Sequence, residues 1–233
     1  GTIRNLRALI RKTEAESPAY AGVAKLQLAY VFAMTTDLFG DVPYSQAGYG
    51  LEFQQPRFDA QRDIYLGNTE AGIQSLFNLV REGLADLSKP SALKPTTDDI
   101  VYGGDLEKWK KMGNTLLLKL AIQVSNVAPD TTRSVITSVI DGNNYITDNA
   151  QDFQVSFRSS SLNQNPMYAF DYANRPNEEM MSSRFLDLMR SQNDTVRLAK
   201  FYTKPGGVFR GFNNGELVAA PVLATRSRYN TYV

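Results

Sequence analysis

The stretch Ala29-Tyr30-Val31-Phe32-Ala33-Met34-Thr35-Thr36-Asp37-Leu38-Phe39-Gly40-Asp41-Val42-Pro43-Tyr44 carries an apolar helix into a sharply turned exit. Upstream, Ser17-Pro18 reads as an N-cap with proline at the first helical position. Val23, Leu26, Tyr30, Ala33 and Met34 then fall on one helical face, so a helix is expected to begin at Pro18 and end near Phe39. Gly40 permits a left-handed cap, Asp41 is placed to accept backbone hydrogen bonds, and Pro43 forces the chain to leave extended. From Asp41 to Asp59 the sequence is rich in Gly, Pro, Gln and aromatic residues and has no period. This predicts one long ordered loop, a kind of segment that is often functional in compact domains.

Outward from this junction the periodicity is mostly helical. Ile3, Leu6, Leu9 and Ile10 predict a helix over Ile3–Lys12. The stripe Ile73, Leu76, Phe77, Val80, Leu84 and Leu87 predicts one long helix from about Gln61 to Leu87. Leu106, Trp109, Gly113, Leu116, Leu117, Leu120 and Val124 predict another from Asp105, its N-cap, to Val127. Val135, Ile136, Val139 and Ile140 mark a shorter helix over Thr131–Ile140, and Phe185, Leu186, Leu188 and Met189 one over Ser182–Arg190. Phe153, Val155 and Phe157 alternate, which predicts a short strand, and irregular polar sequence runs on to about Met180. Beyond Pro205-Gly206-Gly207 the chain reads as loops with short strands to Val233. The expected fold is mainly α, with helical hairpins, long irregular loops and minor strands. No strict internal repeat is present.

Composition removes several classes of chemistry. The 233 residues include no Cys and no His, so disulfides, thiolate nucleophiles and imidazole bases are absent from this chain. Ser-His-Asp and Cys-His catalysis are impossible within it. The formal net charge is +1 and no basic run marks a nucleic-acid surface, which points to neutral ligands. No apolar run approaches the ~18 residues that mark a membrane span. Asp98-Asp99 and Glu178-Glu179 are adjacent carboxylates, expected to be solvated or to cap helices rather than to catalyse or hold a metal. Asp141–Asp152 lacks the residue order of a calcium loop, and Asn193-Asp194-Thr195 is read as a chance sequon. No catalytic residue, metal ligand or cofactor is expected.

The junction at residues 29–44 resembles the helix-to-loop turn of the SusD/RagB family, where an aromatic-rich helix enters a D-L-[FY]-G-D-[VI]-P-[YL] turn. Three more segments resemble that family in the same order. They are Asp59–Leu66, Asp105–Leu116 continued by Lys119-Leu120-Ala121, and Met181–Met189 followed by Asn193-Asp194. The last departs from the family pattern, with Thr195-Val196-Arg197-Leu198 where Pro-Arg-Leu is usual. The resemblance spans Arg4 to about Tyr232. It implies tetratricopeptide-like helix pairs and a non-enzymatic lipoprotein, lipid-anchored at the outer membrane. Such a protein captures oligosaccharides for a SusC-like TonB-dependent transporter, which it covers like a lid; binding of peptide or protein nutrients on the same scaffold is the alternative. Residues 1–233 are expected to form the N-terminal part of a single SusD-like domain, cut at both ends.

Sugar recognition needs aromatic faces and a rim of amides, carboxylates and arginine. The loop after Pro43 has that make-up in Tyr44, Gln46, Tyr49, Phe53, Gln54, Gln55, Arg57 and Phe58. Tyr44, Gln46, Tyr49, Phe53, Gln54, Arg57 and Phe58 are the expected ligand contacts. Asn163–Arg175 forms a second polar-aromatic segment, read as a turn series. Trp109, Tyr20 and Tyr30 are assigned to the core, with the Trp109 indole expected on a backbone carbonyl. A glycoside hydrolase would need two carboxyl groups roughly 5–9.5 Å apart across a cleft, and no motif marks such a pair.

Overall fold

The computed structural model describes residues 1–230 apart from 159, 161, 162, 176 and 177. Residues 231–233, the end of the expected C-terminal loop, and parts of the irregular run to Met180 therefore lie outside the described residues. The fold is mainly α, with 53% of the chain helical. It forms two compact units, Gly1–Ser156 and Phe157–Val233.

The first unit holds α1 (Thr2–Thr13), α2 (Pro18–Phe39), α3 (Gln61–Leu66), α4 (Leu76–Asp86), α5 (Leu106–Gln123) and α6 (Pro129–Gly142). α1 packs on α2, α2 on α4, α4 on α5, and α5 on α6, the order expected of stacked helical hairpins. α2 is apolar on nearly every side and is buried accordingly, with Leu26, Leu28, Ala29 and Phe32 at or near zero exposure. Small residues let its neighbours close in. A Cβ on Gly22 would meet the Gly83 carbonyl oxygen of α4 at 2.7 Å, and one on Gly113 of α5 would meet Leu84 at 2.7 Å. The charge buried in this packing is compensated: Lys25 Nζ lies 2.8 Å from Asp86 and 2.5 Å from Glu14.

Local capping chemistry sets the helix ends. The Asp105 carboxylate accepts from the N–H groups of Glu107 (3.0 Å) and Lys108 (3.1 Å) at the start of α5, a cap worth about 1 kcal/mol. Ser75 does the same for α4, accepting from Asn78 N–H at 3.0 Å.

Three sequence expectations change. The helix expected over Gln61–Leu87 is two helices, because Gly67 (φ 86°) leaves the helical path and Asn68 pairs with Ile73 in an antiparallel bridge. A Cβ on Gly67 would sit 3.3 Å from the Ser75 backbone, so the break is built into the packing. Residues 153–157 join none of the bridges among the described residues. Phe153 instead packs edge-on against Trp109 (5.8 Å) and Tyr30 (5.4 Å), as a plug for the helical core. The Trp109 indole, buried at 0% exposure, donates to the Asp99 carboxylate at 2.7 Å rather than to a backbone carbonyl.

The second unit contains α7 (Pro166–Tyr168), which runs into a π-helical turn (Ala169–Asn174), then α8 (Ser183–Ser191) and α9 (Thr195–Phe201). Met181, Leu186, Leu198 and Phe209 form its small core. Asn193, at φ 55°, turns the chain between α8 and α9. The Thr195–Leu198 departure noted in the sequence thus opens a helix of its own.

Candidate functional site

The loop after α2 is built from its neck outward. Gly40 closes α2 with φ 73° and ψ −122°, a combination open to glycine and closed to residues with a Cβ. Thr36 ties the turn, its hydroxyl donating to the Gly40 carbonyl at 2.6 Å. Asp41 accepts from the Gln61 N–H at 2.9 Å and so caps α3 from a distance in sequence. Val42 and Asp59 exchange two backbone hydrogen bonds, of 3.3 and 3.0 Å. Residues 43–58 therefore leave and re-enter the scaffold at a single paired neck.

A buried carboxylate organises the inner half of the loop. Asp59 is 2% exposed and accepts from the N–H groups of Ser45 (2.6 Å) and Tyr44 (3.3 Å) and from Arg57 Nε (2.9 Å). Burial opposes its charge, but the Ser45 N–H and hydroxyl together with the Arg57 guanidinium outweigh it. The Asp59 carboxyl is held below the usual carboxylate range. Arg57 also donates to the Ala71 carbonyl (2.6 Å) and the Ser45 hydroxyl (3.2 Å), and its N–H donates to the Gln46 side chain at 2.9 Å.

The expected contact residues thus separate into three groups. Tyr44 is 3% exposed, its ring edge-on to Phe32 at 4.7 Å, so it belongs to the core; burial pushes its hydroxyl pKa up. Gln46 and Arg57 brace the loop from within. Tyr49 and Phe53 form a half-buried edge, 5.9 Å apart and T-shaped, while Gln54 and Phe58 face outward, Phe58 being 71% exposed. Exposed Leu51 and Glu52 join this outer edge.

The structure adds residues that the sequence reading left out. Arg7 of α1 donates to the Tyr49 hydroxyl (2.9 Å) and the Tyr44 carbonyl (2.7 Å), with its guanidinium 4.6 Å from the Tyr49 ring centre. The signal in the sequence was the spacing of Arg4, Arg7 and Arg11, which share one helical face. A separate cleft of about 390 Å³ lies where α2, α3 and α5 end, lined by Asp37, Arg62, Tyr65, Gln123, Val124 and Val127 among others. There Asp37 accepts from the Tyr65 hydroxyl (2.6 Å) and the Gln123 amide (3.3 Å).

Other candidates resolve into structure. Asp99 accepts from the N–H groups of Val101, Tyr102 and Gly104 as well as from Trp109, so it shapes a loop instead of lying solvated. Asp98 accepts from the Tyr20 hydroxyl at 2.7 Å. Asn165 accepts from the Met167 N–H at 2.8 Å and starts α7, the turn role expected of it. Among the described residues no group of acidic side chains is arranged to hold a metal ion, and no helix is long and apolar enough to cross a membrane.

The first unit is thus a stack of helices carrying a braced loop with an aromatic edge. The chain belongs to the SusD-like family, described as starch-binding and associating with the outer membrane, which matches residues 1–231. Among solved structures it is similar to a chitin-binding protein, with 25% identity and a TM-score of 0.76, covering 99% of this chain and 50% of that one. It is also similar to a chitin-binding SusD homologue from Flavobacterium johnsoniae (19% identity, TM-score 0.75, 94% of this chain and 44% of that). A SusD homologue from Bacteroides uniformis shares 23% identity at a TM-score of 0.71, over 91% of this chain and 43% of that. The chain therefore spans about half the length of the solved structures it matches. No curated protein sequence matches it.

Proposed function

We propose that this chain contributes an oligosaccharide-binding surface to a lipid-anchored protein at the outer face of the cell. It captures glycan nutrients without covalent chemistry and passes them to a TonB-dependent transporter. The observation that carries the reading is the loop 43–58, rigid at its neck and aromatic at its edge, in a chain of the SusD-like family. Tyr49, Phe53, Gln54 and Phe58 make the contacts, and Tyr44, Gln46 and Arg57 hold them in place. A non-catalytic role fits the carboxylates at hand: Asp59 and Asp99 are each committed to at least three donors from the protein itself. Names of relatives make chitooligosaccharides and maltooligosaccharides the first ligands to try, with peptides as the comparison arm.

Phe58→Ala is the sharpest test. The side chain is 71% exposed, so its removal should change stability by no more than about 0.5 kcal/mol. If the ring stacks on sugar, affinity should fall by about 1 kcal/mol. Calorimetric titration and thermal melting on Phe58→Ala and Phe53→Ala read the two quantities separately. Unchanged affinity in both variants would remove the loop as the binding surface.

A further inference from the structure

We infer that the seam between α1 and the loop is an anion-recognising subsite, and that the oligosaccharide bound there carries a carboxylate or sulfate group. The inference rests on the glycan-binding reading above and narrows its substrate class. Residues 1–13 carry Arg4, Arg7, Arg11 and Lys12 and no Asp or Glu. The overall charge of +1 hides this segregation.

The loop brings its aromatic edge to that basic face. Gly48 (φ 86°) presses on α1 so closely that a Cβ there would stand 3.4 Å from the Arg4 Cα and 3.0 Å from Ile3. Tyr49 then takes two guanidinium groups on one ring, Arg7 at 4.6 Å and Arg11 at 5.4 Å from its centre. Arg7 lies also 5.7 Å from the Phe32 ring. Rings and neutral oxygens hold these cations in place without neutralising them.

Some surface arginines of this chain pair with carboxylates, as Arg57, Arg190 and Arg197 do, and others, such as Arg62 and Arg133, stand in water without one among the described residues. Among the described residues, Arg4, Arg7, Arg11 and Lys12 form no ion pair. The Arg7 Nε is buried without a hydrogen-bond partner. Nearby acids are engaged elsewhere: Asp59 with Arg57 and Glu14 with Lys25. Glu52 is the only acidic residue within the loop 44–58. Arg11 is exposed beside Tyr49, so its planar fork is free to meet a carboxylate or sulfate while the neighbouring aromatic edge meets the sugar ring.

The test titrates the protein with oligogalacturonate, dextran sulfate oligosaccharide, neutral chitohexaose and maltohexaose, and an oligo-aspartate peptide. At about 50 mM salt one or both anionic glycans should bind about tenfold tighter than the neutral ones, the scale of one charge-assisted hydrogen bond. That advantage should shrink as salt is raised. Arg11→Gln should remove most of it and Arg11→Lys should keep the larger part, with neither variant changing the melting temperature appreciably. The carboxylate and sulfate arms then distinguish the two sources of the anion. Neutral glycans binding as tightly as anionic ones, indifferent to Arg11→Gln, would overturn this inference and leave the glycan reading intact. Equal binding of the oligo-aspartate peptide would also overturn it, reducing the seam to an unselective cationic patch. Binding of no glycan at all would end both readings.

Discussion

Two loops in the first unit are each organised by one carboxylate, and they differ in what that carboxylate answers to. Asp99 shapes the connector before α5 with three backbone N–H groups and takes its fourth bond from the fully buried Trp109. Asp59 shapes the loop after α2 with two backbone N–H groups and takes its third from Arg57, which lies largely at the surface. The first arrangement fastens a loop to the helical core. The second fastens a loop to itself, so its outer edge is free to be specified by other needs. Burial opposes the charge of both groups, and their donors outweigh it, leaving both carboxyls below the usual range.

The largest loss of stability is expected at the core end. Trp109→Ala should cost about 3–5 kcal/mol, since it empties a buried indole site and leaves Asp99 one donor short. Chemical denaturation measures this; a loss under about 1 kcal/mol would mean the indole is not holding the connector to the core. Asp99→Asn should cost about 1–3 kcal/mol, because the amide NH₂ faces donors that the carboxylate oxygen accepted from. Arg57→Ala comes last, at about 0.5–1.5 kcal/mol, because solvent can replace much of what the exposed side chain supplies.

Acid acts on the same two carboxylates. Both carboxyls have folded pKa values below the unfolded value of about 3.9. Their stabilisation is therefore full above that pH and is lost as pH falls below it towards the folded values. Wild-type stability should fall steeply below about pH 4, and Asp99→Asn should flatten part of that fall. A variant whose acid limb superimposes on the wild type would show that Asp99 carries no such linkage.

Much of the helical frame was legible because it depends on apolar periodicity, a local property of the chain. α1, α5, α6 and α8 lie close to where their stripes put them, and α2 lies where its Pro18 start and Gly40 stop put it. The split of Gln61–Leu87 was hidden because Leu66, seven residues before Ile73, extends the stripe backwards across Gly67-Asn68-Thr69. The break is enforced by tertiary contact with Ser75, which no period records. Alternation at 153–157 had the spacing of a strand but joins no bridge among the described residues, and the core of α2 and α5 claimed Phe153 instead. In the loop, composition identified the aromatic and amide residues without saying which face inward. Tyr44 turned to Phe32, and Arg57 turned back to Asp59. The partnership of Arg7 and Tyr49 spans 42 residues and was beyond any local pattern.

The paired neck at Val42 and Asp59 has a consequence for how such a molecule diversifies. Its two hydrogen bonds and the caps on either side are made by residues at the ends of the loop, and none needs residues 50–56. Lengthening a flexible loop costs little once its ends are pinned, about 0.6 kcal/mol for each doubling. The segment from Gly50 to Pro56 is thus an exchangeable cassette on a fixed socket. Selection can rewrite it while the helices beneath go on folding as before.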